Sequence, residues 1–106
     1  MDTAAYTMVE QYAKQVQERY RPKAIYLYGS HAKGTAGEYS DIDIAVVVAP
    51  VDSVEYMDIF SDLFSIAARF DANIEPNLLV DDGEYNKYGF LAEVMETGQI
   101  IYQKAD

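Results

Sequence analysis

The chain has 106 residues, half of them apolar, a net charge of −10 and no cysteine. This fits one compact domain over residues 1–106 with a single core, and it excludes disulfide staples and thiolate zinc sites. Residues 41–85 hold eleven acids against one base, Arg69, which argues against direct nucleic-acid binding, because neutralising phosphates takes clustered Lys and Arg.

Residues 3–20 read as an amphipathic helix, with Ala5, Met8, Val9, Tyr12, Ala13 and Val16 at helical spacing. Arg19, Arg21 and Pro22 end it, cations in the last turn and a breaker beyond. The β-branched and aromatic run at 24–29, AIYLYG, reads as a buried strand closed by glycine. A second strand follows at 42–48, IDIAVVV, stopped by Pro50. Residues 53–69 predict a second long helix with Val54, Met57, Phe60, Leu63, Phe64 and Ala67 on one face. Residues 72–80 read as a third strand despite Pro76, and 81–85 as a loop. A helix over 86–97 with Gly98 at its C-terminal cap, then a short strand at 99–103, complete the chain. This alternation predicts an α+β, two-layer fold with helices packed on a sheet. No apolar run approaches eighteen residues and no charged-then-apolar leader is present, so the expectation is a cytoplasmic protein without membrane span or signal peptide.

The chemistry concentrates in YGSHAKGTAGEYSDIDIAVVV, residues 28–48. Strand alternation points Asp41 and Asp43 the same way, about 6–7 Å apart at Cα, and sends Ile42, Ile44, Val46 and Val48 into the core. Two carboxylates this close repel, and one tends to hold a proton; a divalent cation removes the penalty. Mg²⁺ takes one or two carboxylates plus substrate phosphates, so the pair makes sense with a nucleoside triphosphate. The loop before it fits. Gly29 lets backbone approach a ligand, Ser30 can cap a short helix whose N–H groups hold phosphate oxygens, Lys33 adds a charge, and Gly34 and Gly37 keep the loop tight. Either feature alone is more often a plain turn or a solvated Asp-x-Asp; the combination is far more specific.

Gly29-Ser30, a ten-residue spacer and Asp41-x-Asp43 resemble the signature of the DNA polymerase beta-like nucleotidyltransferase superfamily, and within it GSHAKGTAGEYSDIDIAV resembles the minimal nucleotidyltransferases, MNT. The likeness covers nearly the whole chain and ends in FLAEVMETGQIIY. It implies that fold, with a mixed sheet, and a transferase that binds ATP through Gly29, Ser30, Lys33 and Ser40 and holds Mg²⁺, as two ions, on Asp41 and Asp43. A third acid on a following strand usually completes the set. Here it is Glu75, where an aspartate is commoner, and His31 and Lys33 stand where many members carry arginine. Glu75 has a plainer reading too, an exposed glutamate on an edge strand that discourages aggregation; Pro76 points to an edge or a bulge. His31, the only histidine, reads as a loop residue with a polar contact, with a contact to the nucleotide as the alternative. Of the ten tyrosines, Tyr12, Tyr26 and Tyr28 fit the core or its rim, and Tyr39 is a candidate contact to base or ribose.

MNT proteins are paired, as antitoxins, with helical HEPN ribonuclease toxins. The resemblance therefore implies transfer of AMP from ATP to a hydroxyl, a tyrosine first of all, of such a partner, and the acidic surface suits a basic protein. An antitoxin that acts by binding alone, and a transferase acting on a small acceptor such as an aminoglycoside, are the alternatives. Intact Gly29, Ser30, Asp41 and Asp43 favour an enzyme over the first, and the absence of an acceptor domain within these residues disfavours the second.

Overall fold

The computed structural model describes every residue except 1, 2, 35, 38, 39, 72, 85 and 106; the expectation for Tyr39 lies outside the described residues. The order is α1 (Thr3–Tyr20), β1 (Ala24–Tyr28), α2 (Gly29–Lys33), β2 (Ile42–Val48), α3 (Ser53–Ala67), β3 (Ile74–Val80), α4 (Phe90–Thr97) and β4 (Gln99–Gln103). The four strands form a mixed sheet in the order β3-β2-β1-β4. β1 is antiparallel to β2 and β4, and β2 is parallel to β3.

Alternation divides the strand residues between two faces. Ile25, Leu27, Ile42, Ile44, Val46, Ile74 and Leu78 pack against Val9, Tyr12, Ala13 and Val16 of α1 and Ile59, Leu63 and Ile66 of α3. The Tyr12 hydroxyl donates to the Leu63 carbonyl at 3.0 Å, joining the two helices. On the other face Ala24, Tyr26, Ala45 and Val47 pack against Val94 of α4, with Leu79 and Leu91 at the margin. The single core expected from composition is thus two clusters, one on each side of the sheet.

Several boundaries differ from expectation for local reasons. β1 ends at Tyr28, and Gly29 already belongs to α2. Tyr28 is the N-cap of α2, so Ser30 lies inside that helix rather than capping it. β3 begins at Ile74, because the Asp71 carboxylate accepts from Asn73 N–H at 2.8 Å and the Asp71 carbonyl accepts from Ile74 N–H at 3.2 Å. α4 begins at Phe90, because Asn86 accepts from Tyr88 N–H through its side chain and from Gly89 N–H through its carbonyl, a local pattern that competes with helix. α3 stops at Ala67 and buries Ile59, Leu63, Ile66 and Ala67; Val54, Met57 and Phe64 of the expected face are exposed. Its apolar arc is wider than the surface it packs on.

β3 is an edge strand, as Pro76 implied. Ile42 N–H bonds the Asn73 carbonyl and Asp81 N–H bonds the Val48 carbonyl, so odd-numbered residues of β3 turn their backbone groups to β2 and even-numbered ones turn outward. Pro76 falls on the outward set and costs no ladder bond. The outward Leu78 carbonyl accepts from the Tyr56 hydroxyl at 2.7 Å, which blunts the edge.

Candidate active site

The pairing brings three acids together from two segments far apart in sequence. Asp43 is the direct partner of Glu75 on the parallel side and of Tyr28 on the antiparallel side. Tyr28, Asp43 and Glu75 therefore form one row across a single face, the face carrying α4, at the end of the sheet that α4 leaves open. Asp41, one residue before β2, joins them. Glu75 shares a hydrogen bond with Asp41; that bond, then the Asp41 charge, slight burial and the Asp43 charge hold its carboxyl above its ordinary value. Asp43 is half-buried, and burial first, then Asp41, raise its carboxyl, opposed by the nearby His31. A cleft lined by Asp41, Phe64, Ala68, Asn73 and Glu75 opens beside the group.

Gly29 is required by close packing. Its φ of 72° is left-handed, and a Cβ built there would collide with the Asp43 Oδ2 atom. Only glycine sets the start of α2 this tightly against the carboxylate. α2 carries Ser30 and the exposed Lys33 over the end of β1, and closes on Gly34, also left-handed at φ 74°. Ser40 serves the loop: its Oγ accepts from Gly37 N–H at 2.9 Å. His31 lies on α2, not in a loop, but it makes the expected polar contact, Nε2 to the Ser40 carbonyl at 3.3 Å.

These residues suit a hard divalent cation in chemistry. Asp41 and Asp43 offer oxygen ligands, and a bound positive charge would relieve their crowding with Glu75. Among the described residues no three acidic or histidine side chains converge as a ready-made cage. Mg²⁺ is commonly held by one or two carboxylates together with substrate phosphates, and the Asp41–Asp43 pair offers that number.

One part of the site was not legible as such. Tyr28, expected only as core rim, accepts a hydrogen bond from the Asn77 amide, and its ring meets Phe90 of α4 edge-on at 5.5 Å between centroids. Its phenol is held above its ordinary value by burial and by Asp43 and Glu75, against the Asn77 bond. Asn77's place on the face of Glu75 follows from alternation; the approach of Phe90 has no sequence signal.

No curated protein matches the chain. Among solved structures the fold is similar to a Sulfolobus solfataricus protein assigned as a nucleotidyltransferase, with TM-score 0.60 and 20% identity over 92% of this chain and 78% of that one. A toxin–antitoxin complex with AMP-PNP is similar at TM-score 0.60 and 24% identity, over 90% and 73% of the two chains. So is a complex of a tri-AMPylated Shewanella oneidensis HEPN toxin with its MNT antitoxin, at TM-score 0.57 and 19% identity, over 92% and 72%. No helix among the described residues is long and apolar enough to cross a membrane. The polymerase beta nucleotidyltransferase family model matches residues 10–106, which take in the glycine turn, both aspartates and the strand that carries Glu75; the chain belongs to that family.

Proposed function

We propose that this chain is a Mg²⁺-dependent antitoxin that transfers AMP from ATP to a hydroxyl, first of all a tyrosine, on a basic, helical HEPN-type ribonuclease toxin, and so neutralises it. The reading rests above all on the β2–β3 register, which sets Glu75 opposite Asp43 and beside Asp41, on the face where Gly29 packs against the Asp43 carboxylate. The likeness in fold to a toxin–antitoxin complex with AMP-PNP, and to an MNT antitoxin in complex with a tri-AMPylated HEPN toxin, supports the donor and the partner.

In this reading the start of α2, with Ser30 and Lys33, binds the outer phosphates, and Asp41 and Asp43 hold Mg²⁺. The metal, when bound, offsets phosphate charge and polarises the α-phosphorus. Glu75 accepts the proton of the attacking hydroxyl. The new bond joins the acceptor oxygen to the α-phosphorus, the bond from that phosphorus to the bridging oxygen breaks, and pyrophosphate leaves in line. The acidic surface steers a basic partner. The test is intact-mass measurement of a HEPN-type partner after incubation with this chain, ATP and Mg²⁺. Added AMP on the partner, absent without Mg²⁺, is the expected result; an unmodified partner with an active control transferase contradicts it.

A further inference from the structure

The proposed transfer leaves one part of ATP unaccounted for, the nucleoside, and this inference rests on that reading. In-line displacement uses up one line through the α-phosphorus. The leaving phosphates lie toward the end of β1, where α2 begins, and the acceptor lies toward Glu75 on β3. The ribose can then leave the phosphorus along the strand direction, by two ways. One way runs past the strand ends to the loop around Ser40. The other runs down the same sheet face over Tyr28 and Asn77 to the start of α4.

That second path is lined with groups the proposed transfer does not use. The Asn77 amide donates to the Tyr28 oxygen, so the phenol's own proton remains to donate. At the end of the path Phe90 packs edge-on against Tyr28 and stays 47% exposed. An aromatic ring held on one side and open on the other is what a base stacks on. We propose that Tyr28, Asn77 and Phe90 form the nucleoside subsite: the Tyr28 hydroxyl donates to a ribose oxygen, Asn77 fixes its direction, and Phe90 stacks on the base.

Two ligands separate this subsite from the phosphate site in calorimetry with Mg²⁺: a non-hydrolysable ATP analogue and inorganic tripolyphosphate. Phe90→Leu keeps an apolar contact with Tyr28 but removes the aromatic face. It should weaken the nucleotide about tenfold, in line with the usual worth of base stacking, and leave tripolyphosphate unchanged, while Phe90→Tyr should restore binding. Tyr28→Phe should lower affinity a few-fold for the ribonucleotide and less for the analogue lacking the contacted ribose hydroxyl. Undiminished nucleotide binding by Phe90→Leu, or equal loss of both ligands, overturns the subsite. If the wild type binds tripolyphosphate and no nucleotide, the subsite falls while the phosphate site stands; if it binds neither, the proposed function falls first.

Discussion

The two faces of the sheet are made from the same strands and put to opposite ends. One face is aliphatic along its length and sealed by α1 and α3. The other is apolar only where α4 covers it and ends in Tyr28, Asp41, Asp43 and Glu75. Burial supplies stability on the first at roughly 25 cal/mol per Å² of apolar area. The second carries like charges that oppose folding unless a cation is bound. A strand with period two serves both at once: Ile42 and Ile44 anchor β2 while Asp43, between them, is held half-exposed on the opposite side.

If that division holds, variants on the two faces fail differently. The largest effect belongs to the acidic face. Asp41→Asn or Asp43→Asn should lower AMP transfer by orders of magnitude while circular dichroism and the unfolding transition remain those of a folded protein. Glu75→Gln should also cut transfer strongly, in kcat, and weaken nucleotide binding less, since the start of α2 and the Asp pair stay whole; steady-state kinetics separate the two. A Glu75→Gln variant with wild-type kcat would return this residue to a simple edge-strand role.

On the sealed face the loss is of stability. Leu63 is fully buried, and Leu63→Ala should cost about 2–5 kcal/mol in denaturant unfolding. At matched temperature below its transition, the folded fraction should keep normal turnover per molecule.

The smallest effect sharpens the contrast through pH. The folded state holds the Asp43 carboxyl above its ordinary value, chiefly by burial and then by Asp41. It therefore binds protons there that the unfolded chain has released, and stability falls as pH rises between the ordinary and the raised value. Asp43→Asn removes that fall. Without Mg²⁺ the variant should be at least as stable as wild type at neutral pH, and the difference should shrink on acidification through the carboxylate range. Thermal melts across pH check this; a variant less stable than wild type at neutral pH means the carboxylate is stabilising.

Much of this division was legible in the sequence, because period-two and helical patterns report directly on which side of an element is covered. Residues 42–48 and 3–20 kept their expected bounds for that reason. Asp41 and Asp43 could be placed on one face from spacing alone. The misreading of α3 came from an excess of apolar residues: with Val54, Met57 and Phe64 as well as Ile59, Leu63 and Ile66 available, periodicity alone does not say which arc is buried. The parts that stayed hidden depend on pairing between distant segments. That Glu75 meets Asp43 follows from the β2–β3 register, and the Tyr28–Phe90 contact from where α4 lands. The turns that delay β3 and α4 depend on side-chain bonds of Asp71 and Asn86 that compete with regular structure.

In the proposed function, the acidic end of the open face transfers the α-phosphoryl group of ATP, with its nucleoside, to a partner protein. The most direct measurement incubates the chain and a HEPN-type partner with Mg²⁺ and ATP labelled at either the α- or the γ-phosphate. The expected result is α-label on the partner, no γ-label, and neither with Asp41→Asn. Label from the γ-phosphate on the partner, or α-label undiminished in the variant, would contradict it.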